Sequence, residues 1–250
     1  EEIIYKANKY FSNKALRVLA LAYNNLSSIE ENELIFASKL YKTELYNKVT
    51  EAAFYKTLER MCKSGELVKI AKGTYHLPKA SKYGIVPPSE KDIISAFTEN
   101  ATGTVVGYSL YNSLNLTTQI SKSVSVMSST LEGLTKTIRN ITVHQVPLVY
   151  SESVQNMVHG LEVLQNFSSI QDLNYSAFLA YTEKLARLYN ETATKEILAT
   201  KIYKKSTIAF LQEILNYYQV ENSLENYLSS LSEYKYPRME ELYEASRISN

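Results

Sequence analysis

Apolar residues recur three and four apart through much of the chain, and the breaks in that rhythm show where the architecture changes. In "SNKALRVLALAYNNL", Leu16, Leu19, Ala20 and Tyr23 keep helical spacing behind a Ser12 or Asn13 cap. A shorter helix is expected across "FASKLYKTEL". A third follows in "NKVTEAAFYKTLERMCKSGEL", with Thr50 as its cap and Gly65 as its stop. On a helical wheel Phe54, Leu58, Met61 and Cys62 share one face of this third helix. Ala52, Tyr55, Lys56, Glu59, Arg60 and Lys63 point the other way, so one side packs and the other is polar and mostly basic. Directly after Gly65, "LVKIAKGTYHLP" reads as two strands, Leu67, Val68 and Ile70 in the first and Thr74, Tyr75 and Leu77 in the second. Ala71-Lys72-Gly73 joins them. Three helices and then a hairpin is the order of a winged helix-turn-helix, in which the third helix enters the major groove while the wing meets neighbouring backbone.

"KASKYGIVPPSE" interrupts the pattern, because Gly84 and the Pro87-Pro88 pair do not continue regular structure, and a boundary is expected there. Ser89 and Asp92 then form a capping-box-like start to a helix through Ile93, Ile94 and Phe97. Strand signals "TVVG", "SVSVM" and "KTIRNITVHQV" surround a short helix "YSLYNSL", predicting a small α+β domain over residues 84–150. From Ser151 onward "SESVQNMVHGLEVLQNF", "NYSAFLAYTEKLARLYNE", "KSTIAFLQEILNYYQV", "SLENYLSSLSEY" and "MEELYEAS" are all helical in spacing, with Pro237 separating the last two. The expected fold is thus α+β and mostly helical: a winged helix-turn-helix at 1–83, the small α+β domain, and a helical C-terminal bundle at 151–250.

Composition changes this picture in two places. A single cysteine, Cys62, forms no internal disulfide, and a reducing, cytoplasmic compartment is the expectation. The longest apolar run, near Val18–Ala22, is far too short to span a bilayer, and "EEIIYKANKY" lacks the basic-then-apolar order of a signal peptide, so no membrane role is expected. The net charge of +1 hides a segregation. Residues 1–83 hold 14 Lys or Arg against 9 Glu, whereas residues 84–250 hold 13 against 17 acidic side chains. An anionic partner is therefore expected for the first part only.

Catalytic chemistry finds little local support. His76, His144 and His159 are far apart, and only two aspartates, Asp92 and Asp172, are present. The seven glycines form neither a dinucleotide-binding nor a P-loop motif. Cys62 lies on an apolar face, where an inert thiol is expected, and the glutamates are spread as solvated helix faces are. No catalytic residue, metal or cofactor is assigned. The basic cluster between Lys39 and Lys82, 10 cations against 4 acidic residues, is the exception. Lysines on helices usually serve solubility, and winged helices also bind proteins, but this cluster falls on the third helix and the hairpin together. Lys48, Tyr55, Lys56, Arg60, Lys63, Lys69, Lys72 and Thr74 are assigned to DNA, the lysines mainly to phosphate. Tyr75 is expected to anchor the wing to the core, and Glu51 and Glu59 are able to accept from a cytosine amino group. Many of the 21 tyrosines, among them Tyr181, Tyr189, Tyr203, Tyr217 and Tyr218, suit half-buried helix positions.

"GELVKIAKGTYHLP", followed by "GTVVGYSLYNSLNLTTQIS", resembles the AbiE-type antitoxins of bacterial abortive-infection, type IV toxin–antitoxin systems. The first segment is similar to that family's wing. The second is similar to its middle-domain motif, in which a glycine precedes a helix running into Asn115-Leu116-Thr117-Thr118-Gln119. Asn115 stands where the family pattern has glycine, and Asn too accepts a left-handed conformation. The resemblance implies a winged helix that binds inverted repeats in double-stranded promoter DNA. It also implies a C-terminal region that neutralises a nucleotidyltransferase-like toxin, without requiring a stable complex. Two other readings stand beside it. One is a protein-interaction module or general transcriptional regulator acting through its helical C-terminal region. The other is an enzyme whose site is assembled from distant residues.

Overall fold

The computed structural model describes residues 34–46, 48–81 and 84–248, so the helix expected at 12–26 lies outside the described residues. The first strand, β1 (Leu34–Phe36), runs directly into α1 (Ala37–Leu40), which widens into a π-helical stretch at Tyr41–Leu45. Helix α2 (Glu51–Ser64) starts where Thr50 Oγ1 accepts from the Ala53 amide at 3.4 Å. It ends at Gly65, whose left-handed φ of 80° no side chain tolerates cheaply. Its Phe54, Leu58 and Met61 are buried together with Ile35, Tyr41, Leu45, Leu67 and Tyr75, and the rings of Tyr41 and Phe54 stack at 5.5 Å. The hairpin follows as β2 (Val68–Ala71) and β3 (Thr74–His76). β1 pairs with the free side of β3, giving an antiparallel sheet in the order β1-β3-β2.

Two short strands, β4 (Lys79–Ser81) and β5 (Gly84–Val86), pair antiparallel across the stretch where the sequence suggests a boundary. Helix α3 (Glu90–Thr98) then opens on the expected reciprocal cap. The Ser89 amide donates to Asp92 Oδ2 at 2.7 Å, and the Asp92 amide donates to Ser89 Oγ at 3.2 Å. The chain divides into two compact units, residues 1–96 and 97–250.

In the second unit β6 (Gly103–Val106), α4 (Tyr108–Ser113), β7 (Val124–Ser128), β8 (Thr135–Ile138) and β9 (Ile141–Gln145) precede the helices. The sheet order is β6-β7-β9-β8, with β7 and β9 parallel and the other pairs antiparallel. "KTIRNITVHQV", read as one strand signal, is therefore two strands turning at Arg139 and Asn140. The helices are α5 (Glu152–Asn166), α6 (Tyr175–Arg187), α7 (Glu191–Ala199), α8 (Lys205–Tyr217) and α9 (Met239–Ile248). "SLENYLSSLSEY" makes only a short 3₁₀ turn at Leu224–Tyr227, whereas α7, which the spacing does not flag, begins at an Asn190 cap. The sequence separates 84–150 from 151–250. In the structure Leu110, Tyr111, Leu116, Val146, Leu148 and Tyr150 lie in the same buried cluster as residues of α5, α6, α7, α8 and α9.

The segment "NLTTQ" belongs to this packing. Asn115 has φ 57°, the left-handed backbone its side chain type accepts. Thr117 Oγ1 donates to Gln171 O at 2.6 Å, the Asn174 amide donates to Leu116 O at 2.8 Å, and the Gln119 amide nitrogen donates to the Asp172 carboxylate. These bonds tie the loop after α4 to the connection between α5 and α6.

Candidate nucleic-acid interface

Helix α2 buries one face and leaves Lys56, Glu59, Arg60 and Lys63 exposed on the other, as its apolar spacing predicts. Tyr55 is half-buried, its ring edge-on to Phe54 at 5.4 Å. Strand β2 brings Lys69 alongside this face. Lys69 pairs with Tyr75 across the hairpin, and Tyr75 pairs with Ile35, so the three lie in one row of the sheet. Ile35 and Tyr75 are buried in the core, which fixes that row toward α2, while Lys69 at the sheet edge stays exposed. Tyr75 thus anchors the hairpin.

The charges converge around Glu59. Its carboxylate accepts from Lys63 Nζ at 3.0 Å, one helical turn on, and both side chains are mostly exposed. The Lys63 hydrogen bond and charge, followed by the charges of Lys56 and Lys69, hold the Glu59 carboxyl below its usual range. Lys69 lies beside Cys62 as well. The Cys62 thiol is pushed up by burial, with Lys69 opposing. Lys56, Lys63 and Lys69, from a helix and a strand, therefore share one surface. Arg60 is exposed on the same helix, and Lys72 is exposed in the turn before Gly73, whose φ of 68° closes the hairpin tip. Lys48 is exposed two residues ahead of the Thr50 cap.

Thr74 does not join them. It is fully buried on β3, and its hydroxyl has no hydrogen-bond partner among the described residues. As the central strand, β3 buries Thr74, Tyr75 and His76 alike, so the alternation of inward and outward side chains expected of a two-stranded wing does not hold there.

The histidines are dispersed. His76 is buried, with Nδ1 3.1 Å from Leu77 O. His159 Nε2 is 2.7 Å from Thr104 Oγ1, and burial holds its imidazole down to about 4. His144 is exposed on β9. No group of three or more His, Cys, Asp or Glu side chains among the described residues is gathered to hold a metal ion, and no described helix is long and apolar enough to cross a membrane. One titratable group escapes the sequence reading. Glu162 is buried on α5, among Tyr203, Tyr150 and Tyr111, and desolvation pushes its carboxyl up to about 6, opposed by the nearby Tyr203 hydroxyl, which itself donates to Val158 O at 3.5 Å. The signal for it was a glutamate inside "GLEVL", where α5 is apolar on nearly all sides.

The family model described as "Family of unknown function (DUF6088)" matches residues 28–154, just over half of the chain. The chain belongs to the DUF6088 family. The matched stretch takes in the basic face of α2, the hairpin and the whole β6–β9 sheet, and stops as α5 begins. Among solved structures this DUF6088 chain is similar to the RV2827C protein from Mycobacterium tuberculosis. The TM-score is 0.40 and the identity 10%, over 80% of this chain and 76% of that one. No curated protein matches the chain.

Proposed function

We propose that this chain is a double-stranded-DNA-binding autorepressor, working in the cytoplasm without catalytic activity as the antitoxin of an AbiE-like system. The carrying observation is the convergence of Lys56, Lys63 and Lys69 from two elements on one exposed surface. The order β1, α1, α2, β2, β3, with β1 against β3, supports reading residues 34–76 as the recognition half of a winged helix-turn-helix. On that reading α2, about 21 Å long at 1.5 Å per residue, enters the major groove. Lys69 and Lys72 then reach phosphates beside it, and Arg60 with Tyr55 makes groove contacts. The antitoxin role, and the nucleotidyltransferase-like toxin as functional partner, rest on the two motifs that resemble the AbiE-type family; the region opposing that toxin is the helical C-terminal region, residues 151–250.

The test is a titration of the full chain against its own upstream DNA and a scrambled duplex of equal length, at two salt concentrations. A preference of about a thousandfold for the upstream DNA is expected of a specific regulator. Equal and salt-sensitive binding to both duplexes would overturn the repressor reading and favour a protein-interaction module.

A further inference from the structure

The basic face contains one residue of the wrong sign. Glu51 occupies the first turn of α2, where the helix dipole favours an acidic side chain, but Glu59 lies two turns further along, in the middle of the exposed face. A Glu–Lys pair four residues apart is an ordinary surface device for a helix. Lys56, three residues back, is an equally ordinary neighbour, but the charge of Lys69 reaches the carboxylate from a different element, β2, which helix stability does not require. On a surface meeting phosphates, an ionised carboxylate is repelled everywhere except where a base presents an amino group.

We propose that Glu59 is the residue through which this chain reads a base, its carboxylate accepting from the N4 amino group of a cytosine in the major groove. The inference rests on the DNA-binding reading above. Lys63, hydrogen-bonded at 3.0 Å, orients the carboxylate, while the charges of Lys56 on the helix and Lys69 on the neighbouring strand act on it as well. Adenine also offers an amino donor, but beside its N7 acceptor, which repels a carboxylate, whereas the cytosine N4 amino group has no acceptor next to it on its own base. Specificity then comes from an acidic residue and affinity from its cationic neighbours.

The experiment is selection of binding sites from a randomised duplex pool by the full-length wild type, Glu59→Ala and Glu59→Gln. Far-ultraviolet circular dichroism checks that each variant is folded, as expected for an exposed position. The wild type should enrich sites with a fixed cytosine. Glu59→Ala should lose about tenfold or more of the discrimination at that position, leaving other positions unchanged. Glu59→Gln should move the preference there to adenine, whose edge a glutamine amide fits. Variants that return the wild-type consensus while binding more tightly to every duplex would overturn the proposal and leave Glu59 a helix surface charge. A wild type that enriches no sequence would overturn the DNA-binding reading itself, and is recognised without either variant.

Discussion

Glu162 is the residue whose environment most changes its chemistry. Its carboxyl rises from 4.5 to about 6 because burial penalises the charged form, so the folded state holds this proton more tightly than the unfolded state. The stability linked to it is fully present below the ordinary value and is lost as pH rises through the folded value, costing about 2 kcal/mol at neutral pH. Glu162→Gln, which keeps the shape of the protonated acid, should stabilise the protein by roughly that amount at pH 7.5 and by nothing near pH 4.5. Urea denaturation at the two pH values checks this, and an equal gain at both would refute it. Gly103 is constrained by space rather than charge. A Cβ there would fall on the backbone carbonyl oxygens of Phe97 and Met127, which have no rotamer to yield. Gly103→Ala should destabilise by about 2 kcal/mol, seen as a lowered thermal midpoint.

At the scale of elements, α2 and the hairpin carry the predictions about DNA. Charge reversal at Lys56 and Lys72 should weaken promoter binding and flatten its dependence on salt, by about one released counterion for each phosphate left without its lysine. Titrations at several salt concentrations give the slope, and an unchanged slope would remove both lysines from the interface. Thr74→Val should leave DNA affinity unchanged and stability equal or better, since it removes a buried hydroxyl with no hydrogen-bond partner among the described residues. The contrast between these residues shows what the sequence can express. Helix α2 is legible because Thr50, Gly65 and the stripe of Phe54, Leu58 and Met61 are local signals, each acting within a turn or two. Thr74 is misread because its burial depends on β1 pairing across β3, with a partner about forty residues away in the chain. "SLENYLSSLSEY" misleads in the opposite sense. Its spacing suits a helix, yet only its first half meets the core, through Leu224, Tyr227 and Leu228, while Leu231 is 96% exposed. Glu162 is hidden for the same reason as Thr74, since the tyrosines around it come from three distant segments.

At the scale of the molecule, residues 97–250 act together. Leu110, Tyr111, Leu116, Val146, Leu148 and Tyr150 are buried in one cluster with the helices that follow. A fragment of residues 97–150 should therefore show no cooperative urea transition, whereas 97–250 should unfold in one step. A sharp transition from the shorter fragment would refute the shared core. The same core makes an optical instrument of the protein. The chain has no tryptophan and 21 tyrosines, so its near-ultraviolet absorbance belongs to phenols. Burial lifts the hydroxyls of Tyr111, Tyr150, Tyr181 and Tyr203 well above the usual phenol range. As the solution is made alkaline, exposed phenols lose their protons first, while these four stay neutral until the helices part. A second rise in phenolate absorbance would thus time the opening of the interior, with no label attached.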